Sequence, residues 1–158
     1  MHVSFVSSTN TCRSPMAALV ARKHLVQAGL QDRVRITSAG TGLWQAGEPA
    51  DRRATAVLTA AGYPTGHVAT PLGPDHLNAN LLLAMDSGHA RTLRRLVADT
   101  AAVRLLRTFD PEVVEDFCVP DPFYGGPEDF SEVLRMIESA MPGVLGWLEG
   151  ELASRVKP

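Results

Sequence analysis

Long apolar runs are missing from this chain. Stretches such as Val3–Val6 and Leu81–Met85 are far too short to cross a bilayer, and no basic-then-apolar leader precedes the first of them. A cytoplasmic protein with no membrane partner is expected. Dense basic runs are missing as well: the fifteen basic residues, nearly all arginine, are scattered, and the formal net charge is -2. That pattern excludes the electrostatic footprint of a nucleic-acid binder. Cysteine is scarce, and Cys12 and Cys118 supply neither a disulfide framework nor the clustered Cys and His of a zinc site. Free thiols are expected, with Cys118 buried as a small hydrophobe. Neither GxxxxGK[ST] nor GxGxxG occurs, which removes the usual loops for nucleoside triphosphates and dinucleotides. Repeats, low-complexity tracts and linkers are absent, so 158 residues, 45% of them hydrophobic, predict one domain spanning 1–158 with a real core.

What is present alternates between two periods. Val3–Val6 reads as a buried strand, and Ser14-Pro15 as a helix start with Ser as N-cap and Pro at the first helical position, the helix running to about Gly29. Val34–Ile36 alternates like a second strand, and Ala54, Val57, Leu58 and Ala61 recur at helical spacing before Gly62. Leu81–Met85 is a continuous apolar run of the kind a central parallel strand needs, followed by a helix carrying Ala90, Leu93, Leu96 and Val97. Asp86 between them is expected to cap that helix. Val103–Leu106 supplies a fourth strand. A last helix runs from Phe130 to Leu148, and Pro142-Gly143 inside it predicts a kink or local break. The alternation predicts an α/β domain with a four-stranded, mostly parallel twisted sheet and helices on both faces. Ligands of such folds sit outside the carboxyl ends of the strands. The loops that matter are therefore Ser7–Arg13, Ser38–Pro49, Asp86–His89 and Phe109–Tyr124.

Ser7-Ser-Thr-Asn-Thr-Cys-Arg13 joins the first strand to a helix N-terminus, so backbone N–H groups of Ser8, Thr9, Asn10, Thr11, Cys12, Arg13 and Ser14 can converge on an anion such as phosphate or sulfate. Arg13 at its close offers a planar fork suited to two phosphate oxygens. Between Arg107 and Arg135 every charged residue is acidic, and the plain reading is a solvated face.

Phe5-Val-Ser-Ser-Thr-Asn-Thr-Cys-Arg-Ser-Pro-Met-Ala17 resembles the phosphate loop of the low-molecular-weight protein tyrosine phosphatases, with the rough pattern V-C-x-G-N-x-C-R-S-P-M-A. Further landmarks of that family follow in order: Ser38-Ala-Gly-Thr41 with Trp44, then His67, Ala84-Met-Asp86 and Asp121-Pro-Phe-Tyr124. The resemblance implies hydrolysis of phosphotyrosine in proteins and of small aryl phosphates, without metal or organic cofactor. It makes Arg13 the phosphate and transition-state clamp and Asp121 the general acid. Ser14 would hydrogen-bond the nucleophile, and Asn10 would tie the loop to Ser38 and His67. Trp44, Phe123 and Tyr124 would wall the crevice, against the plainer reading of a Trp44 packed on its own loop. His67 reads as a satisfied structural histidine.

The pattern breaks at one chemical position: Ser7 stands where the family has its nucleophilic cysteine. A thiol of pKa near ~8.5 can be ionised by such a cradle, whereas an alcohol needs an adjacent general base, and the motif contains none. The chain is expected to bind phosphate esters and scarcely hydrolyse them. Two origins of Ser7 stay open. Retained Arg13, Ser14, Asn10, His67 and Asp121 fit a substitution made to trap substrate; Thr9, Ala18, Thr70 and His89, each departing from common family residues, fit a natural pseudophosphatase. Arsenate reduction, known on the same fold, needs a relay of cysteines that Cys12 and Cys118 do not supply.

Overall fold

Four short strands pair in parallel in a computed structural model that describes residues 1–156. They are β1 (His2–Ser7), β2 (Arg35–Gly40), β3 (Leu81–Ala84) and β4 (Val103–Leu105), in the spatial order β2-β1-β3-β4. Register is fixed by alternation. Val3 and Phe5 of β1 and Leu81 and Leu83 of β3 enter one core, while Val6, Leu82 and Ala84 enter the other. The first and larger core is closed by α1 (Arg13–Gln27), α2 (Arg52–Ala60) and α5 (Pro127–Ser154). The second is closed by the short α3 (Pro74–Leu77) and by α4 (Ser87–Leu96), whose Ala90 and Leu93 are buried. Helices on both faces of a four-stranded parallel sheet are the architecture expected from the alternation. Chain order reverses direction between β1 and β3, which places a crevice at their carboxyl ends. Among the described residues no helix is long and apolar enough to cross a membrane.

Two local expectations change. Ser14 is not the N-cap of α1: the helix begins at Arg13 after Cys12, which makes no side-chain cap bond, and the Ser14 hydroxyl turns into the loop instead. Pro142 does not break the last helix, which is continuous from Pro127 to Ser154. Gly143 beside it has a packing reason, since a Cβ there would lie 2.1 Å from the Phe109 carbonyl oxygen, so glycine is what lets α5 approach the turn at Leu106–Phe109. α3, which opens on Gly73-Pro74, escaped the sequence reading because one helical turn shows no periodicity. The acidic stretch is mainly solvated, except that Asp110 is buried with its carboxylate accepting from the Glu112 amide.

Candidate active site: a phosphate loop with serine at its base

β1 ends at Ser7, and the next five residues form a loop braced from three sides. From β2, the Thr41 and Gly42 amides donate to the carbonyls of Ser7 and Ser8. Gly40 lies so close that an added Cβ would come 2.8 Å from the Ser8 carbonyl oxygen and 3.0 Å from the Thr9 carbonyl carbon. Asn10 takes a left-handed backbone at φ 59°, a conformation asparagine tolerates better than most residues. Its carboxamide is fully buried: Oδ1 accepts the Thr70 amide at 2.9 Å, while Nδ2 donates to Ser14 Oγ at 2.7 Å and Ser38 Oγ at 3.0 Å. His67 Nε2 donates to the Asn10 carbonyl at 2.7 Å, and burial lowers the pKa of that imidazole. The structure thus brings Asn10, Ser14, Ser38 and His67 together around the loop.

The same network orients the base of the loop. Because the Thr70 amide can only donate, it fixes which end of the Asn10 carboxamide faces Ser14, and Nδ2 then occupies a lone pair of Ser14 Oγ. Ser14 Oγ lies 2.6 Å from Ser7 Oγ; either hydroxyl can donate across that contact, and the Ser14 proton can turn to a negative charge at position 7. A donor aimed at that atom favours negative charge on it. Ser7 is 3% exposed and its hydroxyl has no base within hydrogen-bond reach among the described residues. Above it, the amides of Ser8–Cys12 find no acceptor among the described residues, and those of Arg13 and Ser14 belong to the unpaired first turn of α1. Thr9, where the family commonly has glycine, keeps a negative φ and pairs its hydroxyl with that of Thr11 at 2.8 Å, so the substitution costs no backbone strain.

Arg13 is 5% exposed, and its Nη1 donates to Asp86 Oδ2 and to the Val119 carbonyl, each at 3.0 Å. Those two bonds hold the guanidinium and leave its Nε and Nη2 edge for a ligand. Nη2 lies 3.7 Å from Asp121 Oδ2, which brings the clamp and the expected acid together. Asp121 is half exposed, with Oδ1 accepting the Phe123 amide in a turn. Asp86 caps α4 as expected, accepting the His89 amide at 3.0 Å. Burial pushes its carboxyl pKa up, but the His89 amide, the His89 ring and Arg13 outweigh that and hold it below the ordinary carboxylate value.

Two further residues hold the acid loop and carried no sequence signal. Arg53 on α2 is paired with Asp51 and donates to the carbonyls of Phe123 at 3.0 Å and Gly125 at 3.1 Å. Asp51 donates its own amide to the Thr11 carbonyl at 2.8 Å, so one ion pair ties the acid loop to the phosphate loop. His89 stands out in the sequence only as a departure from a common family residue; its Nε2 meets Ser8 Oγ at 2.8 Å, and its Nδ1 stands 3.1 Å from Asp86 Oδ1, off the line a hydrogen bond wants.

A cleft of about 360 Å³ opens over the loop, lined by Ser8, Thr9, Cys12, Trp44, Asp121 and the Phe123-Tyr124 pair. The Trp44 ring rests on Gly42, where a Cβ would lie 2.3 Å from it, yet the residue is 74% exposed. One face of the indole thus packs on its own loop while the side chain also borders the cleft. Phe123 and Tyr124 meet edge to face, with centroids 4.9 Å apart. Cys12 is free, and its thiol pKa is pushed up to about 11, first by burial and then by Asp51, so it stays protonated at neutral pH. Cys118 is only half-buried, with Sγ 3.9 Å from Ser87 Oγ, so it is not the core hydrophobe expected. A larger cavity, about 520 Å³, lies at the amino ends of the strands near Asn78, Asn80 and Trp147, away from the loop and Arg13.

An orphan-amide loop between a parallel strand and a helix, closed by a buried arginine and faced by a carboxylate, defines a phosphatase-type α/β protein. Over residues 2–155 the chain matches the family model of low molecular weight phosphotyrosine protein phosphatases, and it belongs to that family. It is 51% identical to low molecular weight protein-tyrosine phosphatase A of Mycobacterium tuberculosis, over 97% of this chain and 94% of that protein. The crystal structure of a protein tyrosine phosphatase from Entamoeba histolytica superposes with a TM-score of 0.90, at 28% identity, covering 96% of this chain and 98% of that one. A mutant of YwlE arginine phosphatase with a phosphorylated active site serine superposes with a TM-score of 0.83, at 27% identity, covering 94% and 96%. Phosphatase chemistry on phosphoproteins or phosphate esters is the function of the family.

Proposed function

We propose that this chain binds phosphotyrosine in proteins, and small aryl phosphates, through the amides of Ser8–Ser14 and the free edge of Arg13, with Asp121 as general acid. Ser7 holds the nucleophile position, and conventional turnover through it is slow. The observation that carries this reading is the 2.6 Å contact between Ser14 Oγ and Ser7 Oγ, with Asn10 Nδ2 donating to Ser14, which lets Ser14 give its proton to a negative charge at position 7. With cysteine there, that donor, the amides and Arg13 would bring the thiol down into the ~3.5–7.5 range of activated cysteines. Serine gains little from the same field, because an alcohol starts far above neutral pH. Trp44, Phe123 and Tyr124 around the cleft support an aryl ester over a short alkyl one. The arginine phosphatase named among the structural neighbours makes phosphoarginine the second substrate class to compare. The protein acts as one domain in the cytoplasm, without metal or organic cofactor.

Calorimetry with inorganic phosphate and vanadate tests the binding. The protein should take up one oxyanion, and Arg13→Lys should weaken it by ~10-fold or more, since a point ammonium loses the bidentate fork. Absence of binding to the folded protein would remove the phosphate site.

A further inference from the structure

Among the described residues Ser7 has a hydroxyl and no base within hydrogen-bond reach, whereas the next residue has both. Ser8 Oγ lies 2.8 Å from His89 Nε2, and His89 Nδ1 lies 3.1 Å from Asp86 Oδ1. His89 is 5% exposed on α4, Asp86 caps that helix, and Ser8 borders the cleft that opens over the phosphate loop. We propose that Ser8, His89 and Asp86 form a hydroxyl-activating relay in this site, and that Ser8, not Ser7, is the residue that takes a phosphoryl group from a phosphomonoester. The inference rests on the loop being a phosphate site.

The tautomer follows from the carboxylate. If Nε2 carried the proton, the bare lone pair of Nδ1 would face Asp86 Oδ1 at 3.1 Å, and two acceptors would repel. With the proton on Nδ1 the contact is attractive despite its poor alignment, and Nε2 is free to accept from Ser8. This is the orientation a general base needs, and catalytic contacts are often poorly aligned before substrate arrives. Burial, reinforced by Arg13 and opposed by Asp86, lowers the imidazole pKa to about 4, so the ring is neutral and able to accept at neutral pH. A phosphate dianion in the cradle offsets the charge of Arg13 and makes the ring a stronger base.

The step balances. Ser8 Oγ attacks phosphorus and its proton passes to His89 Nε2; the bond from phosphorus to the ester oxygen breaks, and Asp121 protonates that oxygen. Water then attacks the phosphoserine, giving its proton to the Asp121 carboxylate, while His89 returns a proton to Ser8 Oγ. The sum is ester plus water giving alcohol plus phosphate.

The competing view is a purely structural tie between the phosphate loop and α4. The full chain is incubated with para-nitrophenyl phosphate, quenched in acid, and mapped by tandem mass spectrometry while nitrophenol release is followed. A phosphoryl group on Ser8 is expected, together with slow turnover. Ser8→Ala should abolish both, and His89→Gln, which still offers a hydrogen bond but cannot take a proton, should lower both by ~10²-fold or more. Inorganic phosphate affinity, measured by calorimetry, should survive in His89→Gln, confirming a formed loop. A phosphoryl group on Ser7, or undiminished uptake in His89→Gln, overturns the relay. Oxyanion binding with neither adduct nor turnover overturns the relay and leaves the binding site intact; failure to bind oxyanion overturns the site itself.

Discussion

Removing the Asn10 side chain should cost more than any other single change in the loop. The residue is fully buried, donates to Ser14 and Ser38, accepts from the Thr70 amide, and holds φ 59°. Asn10→Ala deletes three neutral hydrogen bonds at ~1 kcal/mol each and strands the Thr70 amide. Alanine also meets a left-handed penalty of ~1–2 kcal/mol. The total, about 4–5 kcal/mol, is a large part of the ~5–15 kcal/mol that holds a typical domain. Asn10→Gly loses the same bonds without the left-handed penalty and should cost about 3 kcal/mol. Urea unfolding followed by circular dichroism measures both. A loss below ~1 kcal/mol for Asn10→Ala would refute the buried network. If Asn10→Gly proved no more stable than Asn10→Ala, the left-handed backbone would not be part of what asparagine supplies.

His89 makes stability pH-dependent. The unfolded ring binds its proton near 6.5 and the folded ring only near about 4, so the unfolded state holds more protons between those values. The contribution is complete above pH 6.5 and is lost as pH falls towards 4, by up to about 3 kcal/mol. His89→Gln should therefore show a shallower fall of Tm across that window, and parallel curves would contradict the burial argument. Arg53→Met should raise amide hydrogen exchange at Phe123–Gly126, because two carbonyl contacts to that segment disappear; unchanged exchange would mean the acid loop is held elsewhere. In a Ser7→Cys background, Asp121→Asn should slow esters with poor leaving groups by ~10²-fold or more and spare good ones, as loss of a general acid requires.

The fold was legible in the sequence, and so was the segment that carries the candidate site. Strand alternation with α/β punctuation placed the sheet, and the ordered landmarks from Ser7 to Tyr124 pointed to the family. What escaped had no local pattern. His89 meets Ser8 across 81 positions, and Arg53 reaches Phe123 across 70, so only the folded sheet brings each pair together. Ser14-Pro15 misled because a Ser before Pro is a strong cap signal, whereas here the hydroxyl serves Ser7 and the helix starts one residue earlier than Ser14. Pro142 misled for a related reason: the helix is held on both sides by buried Ile137, Met141, Val144 and Leu148, and packing outweighs one lost backbone bond.

Placing cysteine at position 7 tests the central claim most directly. Ser7→Cys exchanges oxygen for sulfur at a buried atom already facing the Ser14 donor and the orphan amides. Losing the nucleophile of a covalent enzyme can cost up to ~10⁶ in kcat, so hydrolysis of para-nitrophenyl phosphate should rise by ~10³-fold or more even above a slow route through Ser8. Iodoacetate should abolish the gained activity, and inorganic phosphate should protect it. A Ser7→Cys protein that folds, binds phosphate and turns over no faster than the serine form would contradict the assignment of position 7 as the base of a phosphatase site.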